Sequence, residues 1–453
     1  MKTFLMVRTL LVALCCITLL SACKKEKQSS AIRAVLAGPV VPADPTLHGV
    51  LGTGHFIVDT IHLTSAVSWH LSGLVYVDSA DVIIIDPGTI IRGDLNANSF
   101  APGGGLIITR GAKIFATGTV TSPIIFTSAS VTPDSGDWSG VMIIGNASTN
   151  NAARIYPEGV PSNAPVDIYY GGNVGRNDND NSGSLKYVRI EYAGFVLSTD
   201  NEINGLTLCG VGNGTIIDFV EVFKAKDDSF EWFGGTVNAS HLLAVDGEDD
   251  MFDTDNGYRG TITYALGIAD TSRASISTSN GIESDNYYIG TDVVPYTNPI
   301  FSYITLVGLP TATKASITNG SPSGSGKYGR AAHLRRNTRF TISKAIAMGF
   351  NYGFSRDLQS GSATGNLSNN FVHAFVRPYL TEMNGIITPV APPAGNDSSK
   401  TINPNANILL RNPFRRDTIV NYVPLPISSI SIRASGAFPE GNTAWANGWT
   451  RLR

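Results

Sequence analysis

The segment DDSFEWFGG, Asp227–Gly235, returns 22 residues later as DDMFDTDNG, Asp249–Gly257. Asp249 falls on Asp227, Asp250 on Asp228, Phe252 on Phe230 and Asp253 on Glu231. A period of this length marks a solenoid, in which each unit repeats one path and buries its apolar face against the next. The phrase belongs to a longer series of paired strands. Its first strands are YVRIEYAG from Tyr187, FVEVFKAK from Phe219, LLAVDG from Leu242, ITYALG from Ile262, YITLVG from Tyr303 and ISKAIAMG from Ile342. Its second strands are GLTLCG, SFEWFGG, MFDTDNG, GIESDN, HLRRN and GFSRD. Upstream, Val82–Ile85, Leu106–Ile108, Ile124–Phe126 and Val141–Ile144 are apolar runs of strand length.

These units predict an all-β chain folded as one right-handed parallel β-helix over residues 46–453, with loop insertions near 150–183 and 308–330. The 47 glycines and the Asn and Ser at segment ends supply corners. An antiparallel β-sandwich or propeller is the second expectation. It would need symmetric hairpin turns, and the flanked Asn-Gly and Asp-Gly pairs that make them are mostly missing.

The chain opens with Lys2 and Arg8 and a short apolar run from Leu10 to Leu20, too brief to span a bilayer and shaped like a secretory signal over 1–22. Leu20-Ser21-Ala22-Cys23 is similar to a bacterial lipobox, which implies cleavage before Cys23 and acylation of its thiol. The mature chain would then have 453 − 22 = 431 residues. Residues 23–45 form a polar tether, and Cys209 is left as a lone thiol of the small buried kind. With a net charge of −3, nothing in the composition suggests nucleic acid as a partner.

IDPGTIIRGD, GDWSGVMIIGNA, SLKYVRIEYAG, NEINGLTLCGVGNGT, DDSFEWFGGTVNA, FDTDNGYRG and the closing GWTRLR together resemble a family of secreted or lipid-anchored proteins of Bacteroidetes bacteria. The resemblance runs from about Leu74 to the C-terminus. It implies a right-handed parallel β-helix with an outer-membrane address, on the periplasmic side or at the cell surface, and supplies no catalytic residues.

Side chains alternate across a strand, so if Phe230, Phe252 and Ile282 point inward, Glu231, Asp253 and Glu283 point outward in one column. Continuing the register across a Gly-rich loop, the column reads Thr207, Glu231, Asp253, Glu283, Arg335, Ser355. A second column reads Phe233, Asp255, Asp285, Asn337. Carboxylates ~5 Å apart repel by about 3 kcal/mol at an effective dielectric near 20. A raised pKa, a bound cation or basic partners must relieve this. The oxygen density suits Ca²⁺, held among Asp227, Asp228, Glu231, Asp249, Asp250, Asp253, Asp255 and Glu283. Lys327, Arg330, Arg335, Arg336 and Arg339 offer the alternative, a ladder of charge pairs.

Other motifs carry less. Asp178–Gly183 imitates an EF-hand start, but Arg189 occupies the twelfth position. Gly324–Gly329 reads G-x-G-x-x-G without a following helix pattern. No zinc-ligand spacing occurs among the histidines, and His241 and His333 read as structural residues at the heads of strands.

Two functions follow. In the first, an outer-membrane lipoprotein acts as a non-catalytic surface binder or scaffold for a polysaccharide or an outer-membrane protein partner, using Trp232, Phe233, Tyr258, Arg335 and Arg336, with Tyr192, Tyr169 and Tyr170 beside them. In the second, it is a Ca²⁺-dependent polysaccharide lyase with Arg335 or Lys224 as base, or a glycoside hydrolase with Asp250 and Asp253 as acid and base.

Overall fold

The computed structural model describes residues 40–52, 58–96, 102–172, 175–198, 201–316 and 326–452. The predicted signal segment, Cys23 and most of the tether lie outside them, as do residues 317–325 of the second predicted insertion.

Strands one coil apart pair in parallel, as a right-handed β-helix requires. Leu206–Val211 pairs with Phe230–Gly235, which pairs with Phe252–Asp255, then Ile282–Ser284, Arg330–Leu334 and Ile346–Asp357. A second series runs through Gly183–Glu191, Ile216–Phe223, Ala239–Val245, Thr261–Ile268 and Ile300–Val307. Antiparallel pairs among the described strands occur only in the hairpins Arg154–Ile155/Tyr170–Gly171 and Phe195–Ser198/Asn201–Ile203, and where Ile386–Pro389 folds onto the last long strand. The sandwich and propeller alternatives are thereby excluded.

Each strand of the second series turns a corner at a left-handed residue that is not glycine. These are Tyr187, Phe219, His241, Tyr264 and Tyr303, with φ of 51°, 56°, 54°, 54° and 58°. Such a conformation costs an L-residue about 1–2 kcal/mol. Stacking offsets it: successive ring centroids lie 4.5, 4.3, 5.2 and 5.0 Å apart. The corner ladder is thus a packed column whose rings present edges, not faces.

Inside the coil, Phe230 stacks on Phe252 at 5.7 Å and Trp232 on Tyr258 at 5.6 Å, all four fully buried. Two covers lie outside it. The first excursion, between Gly140–Ile144 and Gly183–Glu191, lays Val160, Ile168 and Tyr170 over Ile107, Met142, Cys209 and Phe233. The coil strands end at Asp397–Ser399, and the following segment packs Leu410, Tyr422 and Trp449 onto the outward side chains Leu243, Leu266 and Met348. Its Trp445 and Trp449 close over the corner ladder at Phe219.

Candidate functional site

The register places Thr207, Glu231, Asp253 and Glu283 in one column, as alternation across the strands predicts. Above Glu283 the expectation fails. Ile282 pairs with Ala332, not Leu334, so His333 takes the next position and Ser355 follows it. Arg335 moves to the second column, opposite Asp285, where Asn337 was expected. The shift of two residues arises because the loop before Arg330–Leu334 ends earlier than the HLRRN phrase suggests.

Beside these columns opens a cleft of about 890 Å³. Eleven of its twenty-one lining residues carry carboxyls, while three, Lys226, Arg335 and Arg336, are cationic. Asp227, Asp228, Glu231, Asp249, Asp253, Asp255 and Glu283 all line it, and Asp250 sits just beneath. Carboxylate oxygens converge to within 4.8 Å in three overlapping sets: Asp227, Asp228 and Asp249; Asp228, Glu231 and Asp253; Asp250, Asp253 and Glu283.

The doubled aspartates serve two purposes. The backbone N–H of Asp250 donates to Asp228 Oδ1 at 2.8 Å, that of Asn280 to Asp250 Oδ1, and that of Arg330 to Asn280 Oδ1 at 2.9 Å. The second Asp of each phrase therefore braces the corner of the next coil, a task an uncharged Asn performs at position 280. Asp227 and Asp249, the first of each pair, face the cleft.

Some of the charge is neutralised locally. Arg335 binds both Glu283 and Asp285, and Arg336 Nη1 lies 2.8 Å from Asp285 Oδ2. Lys226 and Arg273 hold Glu248 at 2.6 and 3.1 Å. Among the described residues, no ion pair within 4.0 Å reaches Asp227, Asp228, Glu231, Asp249, Asp250, Asp253 or Asp255. Asp253 Oδ1 is buried without a hydrogen-bond partner.

The electrostatics follow from this division. Burial, reinforced by neighbouring carboxylates, pushes Asp227, Asp228, Glu231, Asp250 and Asp253 well above the ordinary carboxyl range. Burial raises Asp249 to about 6 against hydrogen bonds from Ser277 and Ser275, and burial together with Asp285 raises Asp255 to about 7. Burial would also raise Glu283, but Arg335 and His333 outweigh it and hold that carboxyl down at about 2.

Several predicted site residues lie elsewhere. Trp232 and Tyr258 are wholly inside the coil: alternation from Glu231 sends Trp232 inward, and the left-handed turn at Asn256 and Gly257 carries Tyr258 in to stack on it. Phe233 is outward-facing and touches the cleft edge, yet the first excursion buries it to 6% exposure. Tyr192 and Tyr170 are buried too, leaving Tyr169 exposed on the excursion. Lys224 points away, with its ammonium over the Phe223 ring, and Lys226 lines the cleft in its place. Arg335 is committed to Glu283 and Asp285: burial would lower its pKa, but these carboxylates hold it well above the usual value.

The decoy motifs resolve simply. Asp178 accepts hydrogen bonds from Ser148 and pairs with Arg259, Cys209 is a buried free thiol, and His241 belongs to the corner ladder. His333 was undervalued. Its Nδ1 lies 3.5 Å from Glu283 and its Nε2 3.8 Å from Asp357, next to the acid column. Glu158, from the first excursion, and Glu202, from the 195–203 hairpin, also reach the cleft. No repeat position could have revealed them.

Residues 55–391 match the family model described as a pectate-lyase like beta helix domain. No curated protein and no solved structure matches the chain.

Proposed function

The chain belongs to the pectate-lyase-like β-helix family, and from that premise we propose that it is an exported, Cys23-anchored outer-membrane protein whose acid cleft takes Ca²⁺ and binds an anionic polysaccharide without cleaving it. The observation that carries this is the run of three overlapping carboxylate triads, unpaired by any nearby cation over most of its length, beside the guanidinium groups of Arg335 and Arg336. Without a cation, so acidic a cleft repels a uronate chain. Hard oxygen donors in groups of three, one of them with an unpartnered buried oxygen at Asp253, fit a divalent hard cation.

Asp227, Asp228 and Asp249 would form one ion site at the corner, and Asp228, Glu231 and Asp253 the site along the column. Bound Ca²⁺ supplies positive charge that the carboxylates of a uronate chain can share. Arg335 fixes the charge of Glu283 and Asp285 and stays protonated, which favours binding over β-elimination. Anchoring is tested by lipid labelling: a radiolabelled fatty acid should enter the wild-type chain and not Cys23→Ala.

The functional test incubates the protein with uronate polysaccharides, with and without Ca²⁺, and follows both retention and the absorbance of unsaturated products. Ca²⁺-dependent retention with flat absorbance is expected. No retention across acidic polysaccharides would overturn the proposal.

One observation favours a second reading, as a glycoside hydrolase. Asp250, Asp253 and Glu283 place carboxyls of raised and lowered pKa within 4.8 Å of one another. Carboxyls whose pKa values are driven apart are what acid and base roles at one bond require. New reducing ends in the same incubations, abolished by Asp253→Asn, would establish it.

A further inference from the structure

The cleft has a lip that the acid columns do not explain. Tyr288 and Ile276 both line it, yet each is 63% exposed, and Ile289 beside Tyr288 is 55% exposed. Large apolar side chains at a polar cleft mouth mark a contact surface. Tyr288 is also held in place. The Asn286 N–H donates to the Arg336 carbonyl at 3.2 Å, Asn337 Nδ2 donates to the Gly290 carbonyl at 2.8 Å, and the Gly290 N–H closes the turn on the Tyr287 carbonyl at 2.7 Å.

Gly290 is required there: its φ is +71°, and a Cβ would strike the Ser360 carbonyl. Arg336 and Asn337, with φ of 48° and 65°, are two consecutive left-handed residues. Strain of this kind persists only where surrounding contacts enforce it. The two turns thus form one braced rim. It carries an aromatic ring, tilted against Tyr287 at 4.7 Å, and a guanidinium that spends one hydrogen bond on Asp285 and keeps further donors, both lining the cleft.

We propose that this rim is a sugar-binding subsite, in which Tyr288 packs against the C–H face of a pyranose ring while Arg336 donates to that sugar's carboxylate. It rests on the polysaccharide-binding function above and adds to it the residues that recognise one sugar of the chain. The pairing follows from chemistry: an exposed aromatic ring offers apolar area to a sugar's axial hydrogens, and a guanidinium recognises a carboxylate through paired donors. Arg336 suits the role better than Arg335, whose guanidinium is committed to Glu283 and Asp285.

The test titrates the full mature chain, in Ca²⁺, with tetragalacturonate as the acidic probe and cellotetraose as the neutral one. Tyr288→Ala should weaken binding of the acidic probe about tenfold, and Tyr288→Trp should retain it. Arg336→Gln should narrow the preference for the acidic over the neutral probe. Thermal denaturation of Tyr288→Ala should match wild type, since that side chain stands at the surface. Wild-type affinity in Tyr288→Ala, or a Trp variant no better than the Ala one, would overturn the subsite and leave the cleft's function standing. A wild-type chain that binds neither probe would overturn both together.

Discussion

One column of outward positions has two fates along the same helix. At Ile144, Cys209 and Phe233 it is apolar and lies beneath the first excursion; one coil further it becomes Asp255 and then Asp285, facing an open cleft. Backbone geometry and pairing are unchanged across that boundary. The inward residues, Phe230 to Phe252 to Ile282, carry the fold through it. A solenoid therefore separates the two tasks: inward positions specify the stack, while outward ones are free to bind a cover or a ligand.

The strongest way to break this comparison is to exchange the two fates. Phe233→Asp buries a carboxylate beneath the excursion with no cation near it. It should cost roughly 3–5 kcal/mol or prevent folding, read by urea denaturation. The reciprocal Asp255→Phe, at the open end of the column, should be tolerated.

Next in size is the corner brace. Asp250→Ala removes the acceptor for the Asn280 N–H and should destabilise the chain by about 1–3 kcal/mol. Asp250→Asn, which copies the native Asn280, should keep the brace, remove a repelled charge and raise the melting temperature in EDTA. Equal losses in both variants would show that charge, not bonding, matters at that corner.

A third consequence is in pH. Asp249 and Asp255 have folded pKa values of about 6 and 7, above the ordinary 3.8, so the folded state holds more protons between pH 4 and 7. Their contribution is fully present at low pH and is lost as pH rises through 7. In EDTA the melting temperature should accordingly fall over that window, whereas Ca²⁺ should flatten the fall by binding the ionised carboxylates. A melting temperature in EDTA that rises from pH 4 to 7 would contradict the raised pKa values.

The repeat made the fold and half of the site legible. Phe230, Glu231, Phe252 and Asp253 are one coil apart in sequence and one strand apart in space, so their faces follow from alternation alone. Arg335 was misplaced because a loop of variable length breaks the period, and nothing in HLRRN marks which residue re-enters register. Trp232 follows Glu231 on one strand and so falls inside by the same alternation, whereas the burial of Tyr258 depends on the left-handed turn at Asn256 and Gly257 that precedes it. The rim at Tyr288 and the Glu158 and Glu202 contributions come from excursions that no side-chain pattern specifies, whereas the rings of the corner ladder do recur at one repeat position, Tyr187, Phe219, His241, Tyr264 and Tyr303. The corner roles of Asp228 and Asp250 were hidden for another reason: a carboxylate that caps a neighbouring coil has the same letter as one that awaits a cation.

On the proposed function, the column Glu231, Asp253, Glu283 and the corner Asp227, Asp228, Asp249 form a cation-loaded binding surface, and a crystal structure grown near neutral pH with Ca²⁺ is its decisive test. Ions bridging adjacent coils between Asp228, Glu231 and Asp253, and at the Asp227–Asp249 corner, are predicted. An ion-free ladder, its carboxyls protonated or bonded only to one another at saturating Ca²⁺, would contradict the account.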